Sequence, residues 1–419
     1  MKFKYWVVLN CVILNVGLAK AQLFYNSGAN VAVSGGGILF VDGAVENAAG
    51  LFSNAGQTTV KGYFRNGSLA TGGNSTGEYR VYGNWENNDN FTADQSNVRL
   101  NGNNQLITGS QVTTFHDLTL ETSSTVKRQT LDANVNHLLA LNDCELATGE
   151  FKMTVTTPSS SAITRGNGFV SSTGVGRLVR AANSTDTYLF PTGWNDNGVL
   201  YRPVDIKPST TDAQNFAVRM NYGDASAEGY DVNTRAGNVS GVNTKFFHYI
   251  KQTGSTSSAD LTLYYNASAD GVWNSVGRWQ NIPEWQDLMQ TSLNSGTPLS
   301  SVTRALWTDN GQEPHVLINS KELEHVFNFP NVFNPGSSNP ENATFHIINN
   351  THLVTLQDLK VFNRWGEPVF DSQRDGKDNW DGNYIGKLQP MGNYVYTASV
   401  KVNATGEVKS ASGNLSLLW

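Results

Sequence analysis

Val41-Asp-Gly-Ala-Val-Glu-Asn47, Val60-Lys-Gly-Tyr-Phe-Arg-Asn66 and Val81-Tyr-Gly-Asn-Trp-Glu-Asn87 are three versions of one heptapeptide, with starts 19 and 21 residues apart. Read as a strand, each places its Val, its Gly, an apolar residue and its Asn on one face. The other face receives Asp42 and Glu46, then Lys61 and Arg65, then Tyr82 and Glu86. A fixed period near 20 with one apolar and one charged face is the pattern of a solenoid coil. One rung cannot bury its apolar face alone, but stacked rungs bury a continuous core. The inward Gly is expected to make room for a bulky neighbour, and the Asn residues to form a hydrogen-bonded ladder at a corner. Acid, base, acid down the stack predicts charge pairing between rungs. A hairpin meander is the competing reading of the same pattern.

Working outward, weaker beats such as Val98–Gly102, Gln105–Gly109 and Phe115–Leu120 carry the pattern to about residue 155. This stretch resembles repeats of Bacteroidota surface proteins. Thr156-Thr-Pro-Ser-Ser-Ser161 is polar and β-breaking, and marks a plausible boundary. Beyond it the spacing lengthens. Arg177–Arg180, Tyr188–Pro191, Tyr201–Ile206, Phe216–Met220, Phe246–Ile250, Leu261–Tyr265 and His315–Ile318 read as strands of an antiparallel sandwich. Pro283–Met289 reads as one helical turn.

The end of the chain has a different character. Val361-Phe-Asn-Arg-Trp-Gly-Glu-Pro-Val-Phe370, Asn379-Trp-Asp-Gly382 and Met391-Gly-Asn-Tyr-Val-Tyr396 predict strands separated by turns at Trp365-Gly366 and Asp381-Gly382. Tyr394, Tyr396, Ala398, Val400 and Val402 alternate with polar positions, and Leu415, Leu417 and Trp419 extend an apolar stripe to the last residue. These motifs, in this order, resemble the gliding-motility-associated C-terminal domain, the type B sorting domain of the type IX secretion system. The resemblance covers roughly Phe327 to Trp419. It implies an Ig-like β-sandwich, a partner in the type IX secretion machinery, and a signature of Asn363, Arg364, Trp365, Gly366, Trp380, Asp381, Gly382, Gly392, Tyr394 and Tyr396. Family members carry an Asp/Asn-rich segment where Phe333–Phe345 here holds one acid, Glu341, which argues against calcium there.

The beginning agrees with export. Lys2 and Lys4 precede an apolar run from Tyr5 to Leu18, and Ala19-Lys20-Ala21 has the small-x-small form of a signal-peptide cleavage site. Cleavage there removes Cys11 and leaves Cys144 as the one thiol, so no internal disulfide forms. No second apolar segment predicts a membrane span in the mature chain. A net charge of −6 without a basic stripe argues against nucleic acid as a partner.

Residues that carry chemistry are sparse. Gly73-Asn-Ser-Thr-Gly77 matches a nucleophile elbow in letters but lacks the strand-to-helix context that the elbow needs. The seven His are scattered with no ligand spacing, so no metal or cofactor site is indicated. Asp143 and Glu145 beside Cys144 would raise its thiol pKa, the reverse of activation. Asp375–Asn383 is acidic and Gly-rich, but turn formation accounts for it. Trp279 and Trp307, with Trp273 and Trp285, offer either a sugar-stacking platform or sandwich core.

The expectation is therefore an all-β protein: signal peptide over 1–21, parallel β-helix-like solenoid over 22–157, antiparallel β-sandwich over 158–325, and sorting domain over 326–419. Its expected role is a secreted or cell-surface, adhesin-like structural component without a catalytic residue. The alternatives are a carbohydrate-binding protein, with a surface polysaccharide or other glycan as partner, or a polysaccharide-degrading enzyme on the solenoid. Several carboxylates gathered in one groove of the leading region would speak for the last.

Overall fold

A computed structural model of the chain describes residues 23–73, 75–195, 198–320, 327–348, 354–402 and 408–419. The expected signal peptide lies outside them. The described residues are all-β with four short helical turns, and the chain packs as two units, one through Asn319 and one from Ser320.

The leading unit begins as a solenoid of parallel strands that alternate between two sheets. One sheet stacks Leu23–Val33, Ala44–Asn54, Phe64–Gly73, Trp85–Asn87, Gln105–Gly109, Val126–Gln129, Glu145–Gly149 and Phe169–Ser172. The other stacks Ile38–Val41, Gln57–Val60, Glu78–Val81, Asn97–Leu100, Thr113–Leu120, Ala133–Ala140, Lys152–Val155 and Arg177–Ala182.

The heptapeptide is thus not one strand. Val41, Val60 and Val81 close strands of one sheet, the chain turns at the following Gly, and Val45, Phe64 and Trp85 belong to strands of the other. Both Val and aromatic positions point inward because the corner lies between them. The Gly role also differs from the expectation. A Cβ on Gly83 would lie 2.5 Å from the carbonyl carbon of Gly62 in the rung before. Close approach of backbone to backbone, rather than room for a side chain, excludes larger residues there.

In register, Val45, Phe64, Trp85 and Ile107 stack as one buried column, with the Phe64 and Trp85 rings 4.8 Å apart and parallel. The Asn ladder forms and starts one rung earlier than the repeat predicts. Asn26 donates to Asn47 at 2.7 Å, Asn47 to Asn66 at 3.2 Å, and Asn66 to Asn87 at 3.0 Å, all between buried Nδ2 and Oδ1 atoms. It stops at Asn87, whose partner in the next rung is Gly109. Outside, Arg65 bridges Glu46 at 3.4 Å and Glu86 at 2.8 Å, the charge pairing that the sequence predicts. A second ion ladder, Arg80–Glu78–Arg99–Glu121, runs over the other sheet.

The second sheet does not stop at the expected 157/158 division. Arg177–Ala182 pairs parallel with Lys152–Val155 on one side and antiparallel with Gln214–Tyr222 on the other. Phe246–Thr253, His315–Ser320, Ser275–Trp279 and Trp285–Asp287 follow, so solenoid and middle segment share a fifteen-stranded sheet. The expected helical turn at 283–289 is instead the strand Trp285–Asp287, held against Ser275–Trp279. An antiparallel five-stranded sheet, ordered Tyr188–Phe190, Val204–Pro208, Ala259–Tyr265, Ser300–Trp307 and Ser292–Asn294, contributes Leu261, Leu263 and Val302 to the same buried cluster as Phe64, Phe216 and Leu317.

In the trailing unit, Val332–Phe333, Val408–Leu417, Gly392–Val402, Val354–Phe362 and Pro368–Asp371 pair in that order as one sheet. The pairing defines a five-stranded sheet and does not by itself define an Ig-like sandwich. Its core is aromatic: Phe329, Phe333, Phe345, Phe370, Trp380 and Tyr394. Leu415 and Leu417 are buried, whereas Trp419 is 58% exposed, so the apolar stripe ends before the last residue.

Candidate functional site

The signature residues of the trailing unit divide into builders and a displayed pair. Asn363 shapes the hairpin turn: its side-chain oxygen accepts from the N–H of Trp365 at 2.9 Å and of Glu367 at 3.0 Å. Gly366 sits at φ +80°, a conformation that side chains disfavour. The turn lifts Trp365 into solvent, 76% exposed, with the Arg364 guanidinium 5.1 Å from its ring centroid. Trp380 does the opposite. It is buried against Tyr394 at 5.0 Å and donates its indole N–H to Asn383 at 2.9 Å. Asp381 accepts from the Asn383 N–H at 3.0 Å, and a Cβ on Gly382 would meet Pro335 at 2.8 Å. Tyr394 donates to the Pro390 carbonyl at 2.7 Å, and Tyr396 packs between Phe329 and Phe345. Gly392 opens the central strand of the sheet. Of the ten residues, only Arg364 and Trp365 form an exposed aromatic–cation surface.

The leading unit holds a cleft of about 860 Å³, within the usual size of a small-ligand site. One wall is the edge of the solenoid, with Asp143, Glu145 and Arg165. The other is the five-stranded sheet and the hairpin of Gly193–Asn195 with Val199–Tyr201, inserted between two of its strands, with Tyr201, Asp205 and Tyr264. Asp205 faces outward because Val204 and Ile206 on either side point into the core. One of its carboxylate oxygens accepts from the Tyr264 hydroxyl at 2.8 Å, and the other is buried without a hydrogen-bond partner. Burial raises the carboxyl pKa, opposed by the Tyr264 hydrogen bond and the Arg180 charge. Burial likewise pushes the Tyr201 phenol up to about 12 and that of Tyr264 higher, so both remain neutral donors at physiological pH. The Arg165 guanidinium stacks 4.0 Å over the Tyr201 ring. Glu145 accepts from Ser171 at 2.6 Å, and Asp143 accepts from the Asn167 N–H at 2.7 Å. Neutral phenols, one orphaned carboxylate oxygen and a stacked guanidinium suit a ligand rich in hydroxyl groups.

The residues singled out from sequence for glycan contact lie elsewhere. Trp307 is 2% exposed and donates to His315 at 3.0 Å, and Trp279 packs on Trp285 and Tyr230, half-buried. Trp307 is part of the buried core and has no free face for a sugar, whereas Trp279 is only partly buried against a smaller cluster. Ser75 is buried against the Tyr79 hydroxyl, 2.6 Å away, in a rung of the solenoid. Cys144 is also buried, and burial, more than its acidic neighbours, raises its thiol pKa. Asp205 and Tyr264 carry no motif; only the outward positions of Tyr201–Ile206 and Leu261–Tyr265, read as strands, could have pointed to them.

No helix among the described residues is long and apolar enough to cross a membrane. Residues 327–417 match the CHU_C Type IX secretion signal domain. No curated protein and no solved structure matches the chain. The matched stretch holds the displayed turn, the buried Trp380 and both Tyr, so the chain is a type IX sorting-domain protein that engages the type IX secretion machinery. It is exported to the cell surface or the extracellular space.

Proposed function

We propose that the exported passenger, residues 23 to 320, is a non-catalytic, adhesin-like structural component of the cell surface. The observation that carries this reading is the continuous ladder Asn26–Asn47–Asn66–Asn87, which ties successive rungs by buried side-chain hydrogen bonds. Rungs fixed in this way form a rigid, repetitive face on which many weak contacts add. In this reading the trailing unit is an Ig-like address module, and Arg364 and Trp365 are its contact with the export machinery.

The cleft favours a second reading, glycan binding, at a place other than Trp279 and Trp307. Asp143, Glu145 and Asp205 do line one groove, the arrangement that would speak for cleavage. Against catalysis stand the hydrogen bonds that occupy Asp143 and Glu145. Glycan-array and calorimetric binding by the full chain, compared with Tyr201→Ala and Asp205→Asn, tests the assignment. Affinity is expected to fall at least about tenfold in both variants, the effect of leaving a buried polar group of the site unpaired. Binding that survives both returns recognition to the solenoid face. Release of reducing ends that is lost in Asp205→Asn would overturn the non-catalytic reading.

A further inference from the structure

Two of the scattered histidines meet on the outer face of the larger sheet. Thr113–Leu120 and Ala133–Ala140 lie in successive rungs, with Phe115 opposite Val135 and Asp117 opposite Leu138. The register slips by one between these pairs. In the first strand Phe115 and Leu118 are buried, three apart, and in the second Val135 and Leu139 are buried with exposed His137 between them. A bulge of this kind re-aims side chains. Here it turns His116, Asp117 and His137 outward together.

Their ligand atoms all lie within 4.8 Å of one another. The His116 and His137 rings are 4.6 Å apart, and His137 Nδ1 is 2.6 Å from an Asp117 carboxylate oxygen. His116 Nδ1 is 3.3 Å from the side-chain oxygen of Asn136. An Nδ1–H that donates to this oxygen leaves the Nε2 lone pair free for an ion. A neighbour that fixes the tautomer is how many ligating imidazoles are oriented.

We propose that His116, Asp117 and His137 form a binding site for a divalent transition-metal ion of the zinc, nickel or copper class. Two imidazoles and one carboxylate suit these ions better than calcium or magnesium, which favour oxygen ligands. Three protein ligands leave a coordination position for water or for a group from another molecule. His137 is exposed, so its ring moves without disturbing the core, and the ion takes the place of the proton between His137 and Asp117.

The full chain, purified without a histidine tag and stripped with chelator, is titrated with zinc by calorimetry and with cobalt by visible absorption. The expected result is one equivalent bound, with a cobalt d–d band. His116→Ala and His137→Ala are each expected to weaken zinc at least about tenfold and to abolish the band. Both side chains lie outside the core, and circular dichroism checks that the variants fold. His346→Ala, in the trailing unit, is expected to titrate like the parent. Unchanged binding in the His116→Ala, His137→Ala double variant overturns the site, as does failure of the parent to bind zinc at 100-fold excess.

Discussion

The solenoid and the trailing sheet bury aromatic side chains equally well and are held together on opposite principles. In the solenoid the same chemistry recurs from rung to rung: Asn on Asn, Glu on Arg on Glu, apolar residue on apolar residue. Each rung touches its two neighbours, so stability is a sum of local interfaces. In the trailing unit nothing recurs. Trp380 meets Phe333 and Tyr394, Tyr396 meets Phe329 and Phe345, and each contact is made once. Repetition spreads a loss along the stack, whereas a small core of unique contacts concentrates it.

The same truncation in the two regions tests that difference most severely. Trp85 and Trp380 are 0% and 1% exposed, and loss of either indole costs about 3–5 kcal/mol. That is comparable to the whole stability of a small unit, roughly 5–15 kcal/mol. Trp380→Ala is expected to unfold the trailing sheet and to hold the passenger in the periplasm, the outcome also expected of deleting Phe327–Trp419. Trp85→Ala is expected to open nearby rungs in hydrogen exchange while export continues. Immunoblots of periplasm, surface and medium decide it; normal secretion of Trp380→Ala breaks the contrast.

Acid sharpens the comparison from another side. The leading unit buries His248 and His315, and among the described residues the trailing unit buries no histidine. Burial lowers the His248 pKa to about 4 and that of His315 well below its ordinary value. Both therefore bind protons more readily when unfolded. Their contribution is fully present above the unfolded pKa of about 6.5 and is lost as pH falls toward 4, roughly 3 kcal/mol from His248 alone. Asp205 and Glu313, whose carboxyl pKa values burial raises, act in the opposite sense. Calorimetry at pH 7 and 4.5 should therefore compare the parent with His248→Gln, in which the fall of the leading transition is smaller. An equal fall in both proteins removes the histidine explanation.

The smallest effects separate the inside of the solenoid from its outside. Asn66→Ala leaves buried groups on Asn47 and Asn87 without their ladder partner and is expected to cost about 1–3 kcal/mol. Arg65→Ala removes two partly exposed ion pairs and is expected to cost less than about 1 kcal/mol. Urea denaturation of both variants measures the ratio. Equal costs would mean that the outer charges hold the rungs as firmly as the ladder does.

Much of this molecule was legible because its strongest determinants are short-range. A period of 19 to 21 residues predicts stacked rungs, the Asn ladder and the Arg65 pairing, since in a parallel stack equivalent residues become neighbours automatically. The turn at Trp365-Gly366 and the alternation from Tyr394 are read within a dozen residues of chain. Where the heptapeptide bends was not legible, because a strand pattern continues across a corner when both sheets face one core.

The amino-acid order by itself determined the all-β class, the coil repeat and the address at the end. Tertiary structure alone decided that Trp307 is core, that Asp205 keeps an orphaned oxygen beside Tyr264, and that His116 meets His137 across a bulge. Those outcomes depend on how distant strands register and which sheet face meets which wall. Asp205 and Tyr264 meet across 59 residues of chain and leave no periodic trace, whereas His116 and His137 lie one rung apart and only the slip in register turns them to the same face.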